Sequence, residues 1–436
     1  MRKTNLPTEA ICAAETIGQA DIVVGIPSFN NARTISHVVR AAYAGLAKYF
    51  PGQRAVVINS DGGSIDGTRE AVLSARVDEH HLLLLDTPAP LAQGLSLPYH
   101  GIPGKGSAFR LVFELAERLG ARACCVVDSD LRSITPEWIE LLLRPVVGAG
   151  FDFVAPYYHR HKYDGTITNS IVYPLTRMLY GLSVRQPIGG DFGMSGRLVS
   201  RYLDRGAWES DVARFGIDIW MTTVAIAEGF RVCQSFLGAK LHDAKDPGSD
   251  LTTMLEQVVG SVFALMVDYE NVWWPESEVR PAPLFGFRYD VGLDPVAVNV
   301  ERMIDAFRRG CHDLRAVWEI ALSENTLAAL DRVAHAKVNG SPFHLDDELW
   351  ARVVLEFACA WKDQPLERGH LLRSLPPLYL GRVASFVGEC EHLAPAEVEQ
   401  KVEALCLRFQ SLKPYLSARW HHSAAADRFL EVTSNA

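Results

Sequence analysis

A chain of 436 residues is long enough for two domains, or for one large domain with an appendage. Its 48% hydrophobic and 22% charged residues are an ordinary globular balance with ample material for a core. The net charge of −9, with no basic stripe interleaved with aromatics, argues against a nucleic-acid partner.

The first residues, Met1-Arg-Lys-Thr-Asn-Leu-Pro7, lack the apolar run of a signal peptide, and 1–18 read as an extension. Asp21-Ile-Val-Val-Gly-Ile-Pro27 reads as a buried strand ended by proline, Ser28–Asn31 as a turn with capping residues. Ile35, Val38, Val39, Ala42 and Leu46 then fall at helical spacing. Ala55–Asn59 is the next predicted strand, Asp66–Ser74 a helix, Leu82–Leu85 a third strand and Gly106–Leu119 a helix. The apolar run Ala123–Val127 is a further strand, and Thr135-Pro-Glu-Trp138 opens a helix with a capping residue and proline at its first position.

Strands alternating with helices predict βαβ units and a mainly parallel sheet, clear to about Val154 and mixed from there to about Tyr269. Trp273–Leu284 carries three prolines and reads as a linker or wrapping arm. Beyond about Pro295 strand signals vanish. Met303, Phe307, Leu314, Val317 and Ile320, then Leu349, Val353, Leu355 and Phe357, predict amphipathic helices to about Phe429. The expected organisation is a Rossmann-like α/β domain over 19–272, a linker over 273–294 and a helical domain over 295–436. No stretch approaches the roughly 20 apolar residues of a membrane span. The eight scattered cysteines, without C-x-x-C spacing, suit a reducing cytoplasm better than a disulfide scaffold or a zinc site.

Asp128-Ser129-Asp130 follows the buried strand directly. Two carboxylates one residue apart at a strand's carboxyl end reach into the crevice where open α/β sheets bind ligands. Such oxygens hold a hard cation, Mg²⁺ or Mn²⁺, usually with substrate phosphates completing the shell. A turn cap is the plainer reading of so short a motif.

Four other motifs gather around it. In Ser60-Asp-Gly-Gly-Ser-Ile-Asp-Gly-Thr68, Asp61 and Asp66 suit a nucleoside base and ribose, or else simply shape a strand-to-helix loop. Gly104-Lys105-Gly106 at a helix start suits an anion, although the spacing is not that of a Walker A loop. Gln186–Asp191 and Phe215–Asp218 set acids beside glycines and bulky apolar residues, as in pockets or turns. Arg160, in a basic run, offers a fork to a carboxylate or phosphate, and His242 offers an imidazole to a metal. A solvated loop and a structural histidine are the ordinary alternatives.

Together these residues resemble the GT-A nucleotide-sugar glycosyltransferases. Pro27-Ser-Phe-Asn30, the Ser60–Thr68 loop, Gly104–Gly106 and the DxD occur in the order of the family-2 donor-binding half. A closer resemblance is to the mannosylglycerate synthase family, through Pro103–Gly106, Asp128–Trp138, Arg160–Arg177, Gln186–Asp191, Gly216–Asp218, Lys240–His242 and Phe343–Trp350. It implies a GT-A Rossmann-like sheet with a helical C-terminal appendage. It also implies a divalent metal, Mn²⁺ or Mg²⁺, held by Asp130 and His242, with Asp128 on the metal or the nucleotide. The donor side would comprise Pro27, Asn30, Asp61, Lys105, Asp128, Ser129, Gly190 and Asp191. Arg160, Thr168, Ile188 and Gly189 would line the acceptor pocket, and Asp218 would sit at the reacting sugar. The chain departs from that family in Asp191 for a glutamate and Phe215 for a tryptophan.

The resulting expectation is a cytoplasmic hexosyltransferase. It would move mannosyl or glucosyl from GDP- or UDP-hexose to a small hydroxy acid such as D-glycerate, with retention. The alternatives are an inverting family-2 transferase acting on a polyprenyl phosphate or polysaccharide, a sugar nucleotidyltransferase, and a non-catalytic nucleotide-sugar binder. Self-association through the helical tail stays open.

Overall fold

The computed structural model describes residues 6–75, 93–98, 104–206, 208, 210, 214–241, 252–275, 278–289, 296, 298–335 and 343–421. In chain order these form α1 (Thr8–Ile17), β1 (Ile22–Ser28), α2 (Ile35–Tyr49), β2 (Ala55–Asp61), α3 (Thr68–Ser74), β3 (Gln93–Pro98), α4 (Lys105–Arg118), β4 (Ala123–Val126), α5 (Pro136–Ala149) and β5 (Phe153–His159). A π-helical turn, Thr168–Val172, leads into α6 (Tyr173–Tyr180), β6 (Leu182–Ser183), β7 (Phe192–Ser195), α7 (Gly196–Asp204), α8 (Ile217–Ala227) and β8 (Val232–Ala239). Then come α9 (Thr252–Asp268), α10 (Glu270–Trp273), β9 (Arg280–Pro281), β10 (Leu284–Phe285), α11 (Val300–Asp313), α12 (Arg315–Ala321), α13 (Glu324–His335), α14 (Asp347–Asp363), α15 (Arg368–Arg373), α16 (Pro376–Cys390), α17 (Pro395–Ser411) and α18 (Lys413–His421). The chain divides into two compact units, Met1–Arg160 with Val184–Ala244 and Pro281–Leu293, and His161–Ser183 with Lys245–Arg280 and Asp294–Ala436.

The first unit is built on an eight-stranded sheet of order β10-β8-β5-β7-β4-β1-β2-β3. β1 runs parallel to β2 and β4, and β5 parallel to β8. Every residue of β1, β2 and β4 is buried, as both-faces-covered parallel strands require, which is why they read as unbroken apolar runs. β7 alone is antiparallel to its neighbours, β4 and β5. That reversal matters for function. The loops leaving β1, β2, β4, β5 and β8 emerge at the sheet's carboxyl edge, and the reversed β7 brings the residues entering it to the same edge.

Helix α5 lies across β4, β5, β7 and β8 and contributes Trp138, Ile139, Leu142 and Leu143 to the core. Pro136 occupies its first turn, but Thr135 makes no side-chain cap bond. Gly193 in β7 lets the helix close in, because a Cβ there would collide with Leu142 O.

Two strand expectations need correction or bounding. The third strand of the described sheet is Gln93–Pro98, which the sequence pattern did not single out, while Leu82–Leu85 lie outside the described residues. The proline-rich segment after Trp273 is ordered in short paired pieces where it is described. Trp273 is wholly buried and donates to Met266 O, and Leu284–Phe285 adds β10 to the sheet edge beside β8.

The second unit is helical apart from the short β6–β9 ribbon. Its central helix, α14, is buried nearly all round, Leu349, Trp350, Val353, Val354, Leu355, Phe357 and Ala358 included, so it behaves as a core helix rather than an amphipathic one. Asp346 caps it by accepting from Leu349 N at 2.9 Å. Glu356 within it is wholly buried and accepts from Ser323 N and Oγ, Thr326 Oγ1 and Tyr415 Oη. The stripe Met303, Phe307, Leu314, Val317, Ile320 breaks where α11 ends at Asp313 and α12 restarts, and Ile320 faces outward at 40% exposure. Among the described residues no helix is long and apolar enough to cross a membrane.

Replacing Gly193 with alanine forces α5 off the sheet. We expect a stability loss of about 1–3 kcal/mol, typical of overpacking, read as a lowered Tm with an unchanged far-ultraviolet dichroism spectrum.

Candidate active site

The carboxyl edge begins with a loop pair after β1 and β2. Asp61, 1% exposed, accepts from Ser28 Oγ at 3.0 Å, Ser64 Oγ at 2.6 Å, Gly63 N at 3.0 Å and Ser64 N at 2.9 Å. Asp66 accepts from Thr68 Oγ1 and N and from Ala32 N, and these bonds, Thr68's hydroxyl foremost, hold its carboxyl below the usual range. Asn30, at φ 55°, accepts from Ile65 N at 3.0 Å. Asp61 therefore braces the loops from within and Asp66 from their exposed side, and the large apolar groups left facing solvent are Phe29 at 61% and Ile65 at 93%. Pro27 lies in β1 opposite Ser60.

The DxD divides in two. Asp128 Oδ1 meets Lys105 Nζ at 2.7 Å and its Oδ2 meets Lys240 Nζ at 2.8 Å. Ser129 donates to Asn31 Oδ1 and its carbonyl accepts from Thr34 Oγ1, both at 2.8 Å, tying the turn to the start of α2. Asp130 is half-buried, and among the described residues no hydrogen bond or ion pair engages its carboxylate. Leu241 is stitched to the residues after the DxD, its carbonyl accepting from Arg132 N and its amide donating to Ser133 Oγ, each at 2.9 Å. His242 follows Leu241 but lies outside the described residues. Among the described residues no three His, Cys, Asp or Glu side chains group as metal ligands.

Lys240 and Asp191 form the wall behind Asp128. Lys240 Nζ donates to Asp191 Oδ2 at 2.9 Å and Gly189 O at 2.8 Å. Asp191, with no exposed surface, also accepts from the Asp128 amide at 2.7 Å and from the Tyr158 hydroxyl. Its oxygens are spent inside the protein, so the expected donor-side role of Asp191 can only be exerted through Asp128 and Lys240. Gly190, at φ 91°, packs against this group, since a Cβ there would collide with Asp128 Oδ2. Lys105, opening α4, reaches Asp218 Oδ1 at 3.3 Å and Gly190 O at 3.4 Å as well as Asp128. Asp218, in the first turn of α8, is 7% exposed.

Two ammonium groups thus face three carboxylates out of water. Burial works against the ionised form of Asp128, yet Lys105 and Lys240 hold its carboxyl well below the usual range. Burial likewise opposes both lysine charges, but Asp128 overcomes it in each, with Asp218 aiding at Lys105 and Asp191 at Lys240. At Asp191 and Asp218 burial wins and pushes the carboxyl upward, Asp128 adding to it and the lysines opposing.

Of the residues expected to line an acceptor pocket, Arg160 follows β5, its guanidinium 5.2 Å from the centre of the Tyr158 ring. Gly189 is buried and Ile188 half-buried in the stretch entering β7. Thr168 belongs to the second unit, buried at the start of its π-helical turn. Sequence reasoning missed Lys240 and Tyr158 as members of the site. The available signal was a lysine directly after an apolar strand, where burial demands a charge partner.

Residues 93–264, from β3 into α9, match the family model described as mannosylglycerate synthase, GT domain. No curated protein matches the chain. Among solved structures, glucosyl-3-phosphoglycerate synthase from Mycobacterium tuberculosis in complex with Mg²⁺ and UDP is similar at 20% identity, over 61% of this chain and 85% of that one, with a TM-score of 0.42. The same enzyme in complex with Mn²⁺, UDP and phosphoglyceric acid is similar at 21% identity, over 61% and 84%, with a TM-score of 0.42. Over residues 93–264, which hold Lys105, the DxD, Asp191, Asp218 and Lys240, the chain is similar to a mannosylglycerate synthase glycosyltransferase domain.

Proposed function

We propose that this enzyme transfers a mannosyl or glucosyl group from a GDP- or UDP-hexose to a small hydroxy acid such as D-glycerate or a phosphorylated form of it, with retention. The observation that carries the reading is the pairing of a committed and an uncommitted acid in the DxD. Asp128 is taken up by two lysines, while Asp130 is left with no partner among the described residues. An acid so placed fits a hard divalent cation that takes most of its oxygens from a diphosphate and water. Asp130 would hold that ion together with His242, and the ion would supply charge stabilisation to the departing diphosphate.

The chain's own residues account for the remainder of the chemistry. Lys105, at the start of α4, adds a positive charge where a diphosphate would rest, beside the positive end of that helix. Arg160 offers its fork to the acceptor carboxylate, which brings the acceptor hydroxyl to the anomeric carbon. The acceptor oxygen bonds to that carbon as the sugar–diphosphate bond breaks, and its proton passes to the departing phosphate oxygen. Asp218, paired with Lys105, orients the reacting sugar.

Asp130→Ala is expected to lower kcat/KM on the order of 10²-fold or more, and EDTA to abolish transfer until Mn²⁺ is restored. Full activity in EDTA would remove the metal from the reading. Arg160→Ala should raise the acceptor KM roughly 10- to 100-fold, the range of a lost charged hydrogen bond, with the donor KM nearly unchanged. Both are read by steady-state kinetics over GDP- and UDP-hexoses. Glycosylation of lipid extracts instead of small acids would favour a polyprenyl-phosphate transferase.

Asp218→Asn carries a stability signature as well. Because burial raises the folded-state carboxyl above its ordinary value, ionised Asp218 costs stability above that raised value, and the cost vanishes as pH falls through it towards 3.8. The variant should therefore show a higher Tm than the parent at pH 7, with the gain shrinking on acidification, while transfer is lost.

A further inference from the structure

The two lysines on Asp128 are not equivalent. Lys105 is 16% exposed along its side chain, and beyond Asp128 its partners stand at 3.3–3.4 Å. Lys240 is 4% exposed and has three partners at 2.8–2.9 Å, Asp128, Asp191 and Gly189 O, which match the three donors of an ammonium group. Turning Lys240 toward a ligand would strip its cation from Asp191, which has no exposed surface at all. Lys105 has weaker ties and an outward position. One lysine is exchangeable and the other is fixed.

We propose that Lys240 is a positioning residue of the donor site: anchored by Asp191, it holds Asp128 in place and keeps that carboxylate neutralised when Lys105 turns to a nucleoside diphosphate. The inference rests on the transferase reading above. Without a second cation, Asp128 would become a bare anion beside the incoming diphosphate, and like charges at that range in a shielded site repel strongly. The surrounding wall is shaped to the same end. Gly190 leaves room for the Asp128 carboxylate, the Asp128 amide donates to Asp191, and Tyr158 donates to the Asp191 oxygen that Lys240 also uses.

The test compares the unaltered chain with Lys240→Met and with the double variant Lys240→Met/Asp191→Asn. The double variant removes both charges of the buried pair, while the carboxamide oxygen introduced at position 191 can still accept from the Asp128 amide. Thermal unfolding is measured alongside calorimetric binding of UDP and GDP in Mn²⁺ and steady-state kinetics. Lys240→Met should lose stability and the double variant recover most of it. Both should bind the nucleoside diphosphate about tenfold more weakly or worse, with a matching rise in donor KM and an acceptor KM held within about twofold. If the double variant regains both stability and native diphosphate affinity, Lys240 is only structural and the inference falls alone. If the unaltered chain binds neither diphosphate and turns over no donor, the transferase reading falls and takes the inference with it.

Discussion

Lys105 and Lys240 face Asp128, Asp191 and Asp218 at one edge of the sheet, and gathering those five groups largely away from water constrains everything around them. Desolvating a charge costs several kcal/mol even after relaxation, and breaking one buried partnership typically costs about 3–5 kcal/mol. The fold answers with partners rather than with solvent. Asp191 is met by an ammonium group, an amide and a phenol, and Lys240 by two carboxylates and a carbonyl.

Such a cluster can be assembled only because of how the sheet is wound. A purely parallel order would deliver the ends of β1, β2, β4, β5 and β8 to one edge but would send the residues before β7 to the other. Inserting β7 in reverse between β4 and β5 brings Ile188-Gly-Gly-Asp191 to the Asp128 side, directly opposite the strand that ends in the DxD. The close approach of α5 at Gly193 and the room left at Gly190 are two consequences of that single reversed strand, one structural and one at the site.

Much of this could be read from the residues. Continuous apolar runs located β1, β2 and β4, because strands covered on both faces lose the alternation that would otherwise mark them. The DxD, Lys105, the Gly189–Asp191 stretch and Asp218 were each visible as chemistry without a place. What the residues did not disclose was depth. Asp61 and Asp66 look like ligands for a nucleoside, yet their carboxylates are occupied by Ser28, Ser64, Thr68 and nearby amides. Lys240 looks like one more charged residue in a loop, yet it is among the most enclosed charges in the first unit. The Ser28 bond of Asp61 and the enclosure of Lys240 depend on which strand lies alongside, while Asp66 is held mainly by Thr68 two residues on. The helical stripe through Leu314 and Ile320 failed for a different reason, since a break between two helices resets the period and only Gly310, inside the last turn of the first, hints at it.

The division of labour within Asp128-Ser129-Asp130 follows from where β4 stops. Inside a strand, residues two apart share a face, and both acids would point into the same crevice. Here the strand ends at Val126 and the last sheet-like bond is Val127 N to Gly25 O. Ser129 then turns the chain toward Asn31 and Thr34. Asp128, still next to the sheet, is drawn to the lysines behind it, while Asp130, past the turn, escapes them. A motif of two identical acids becomes two different groups, one an internal counter-ion and the other without a hydrogen-bond or ion-pair partner among the described residues, because a turn of backbone separates them.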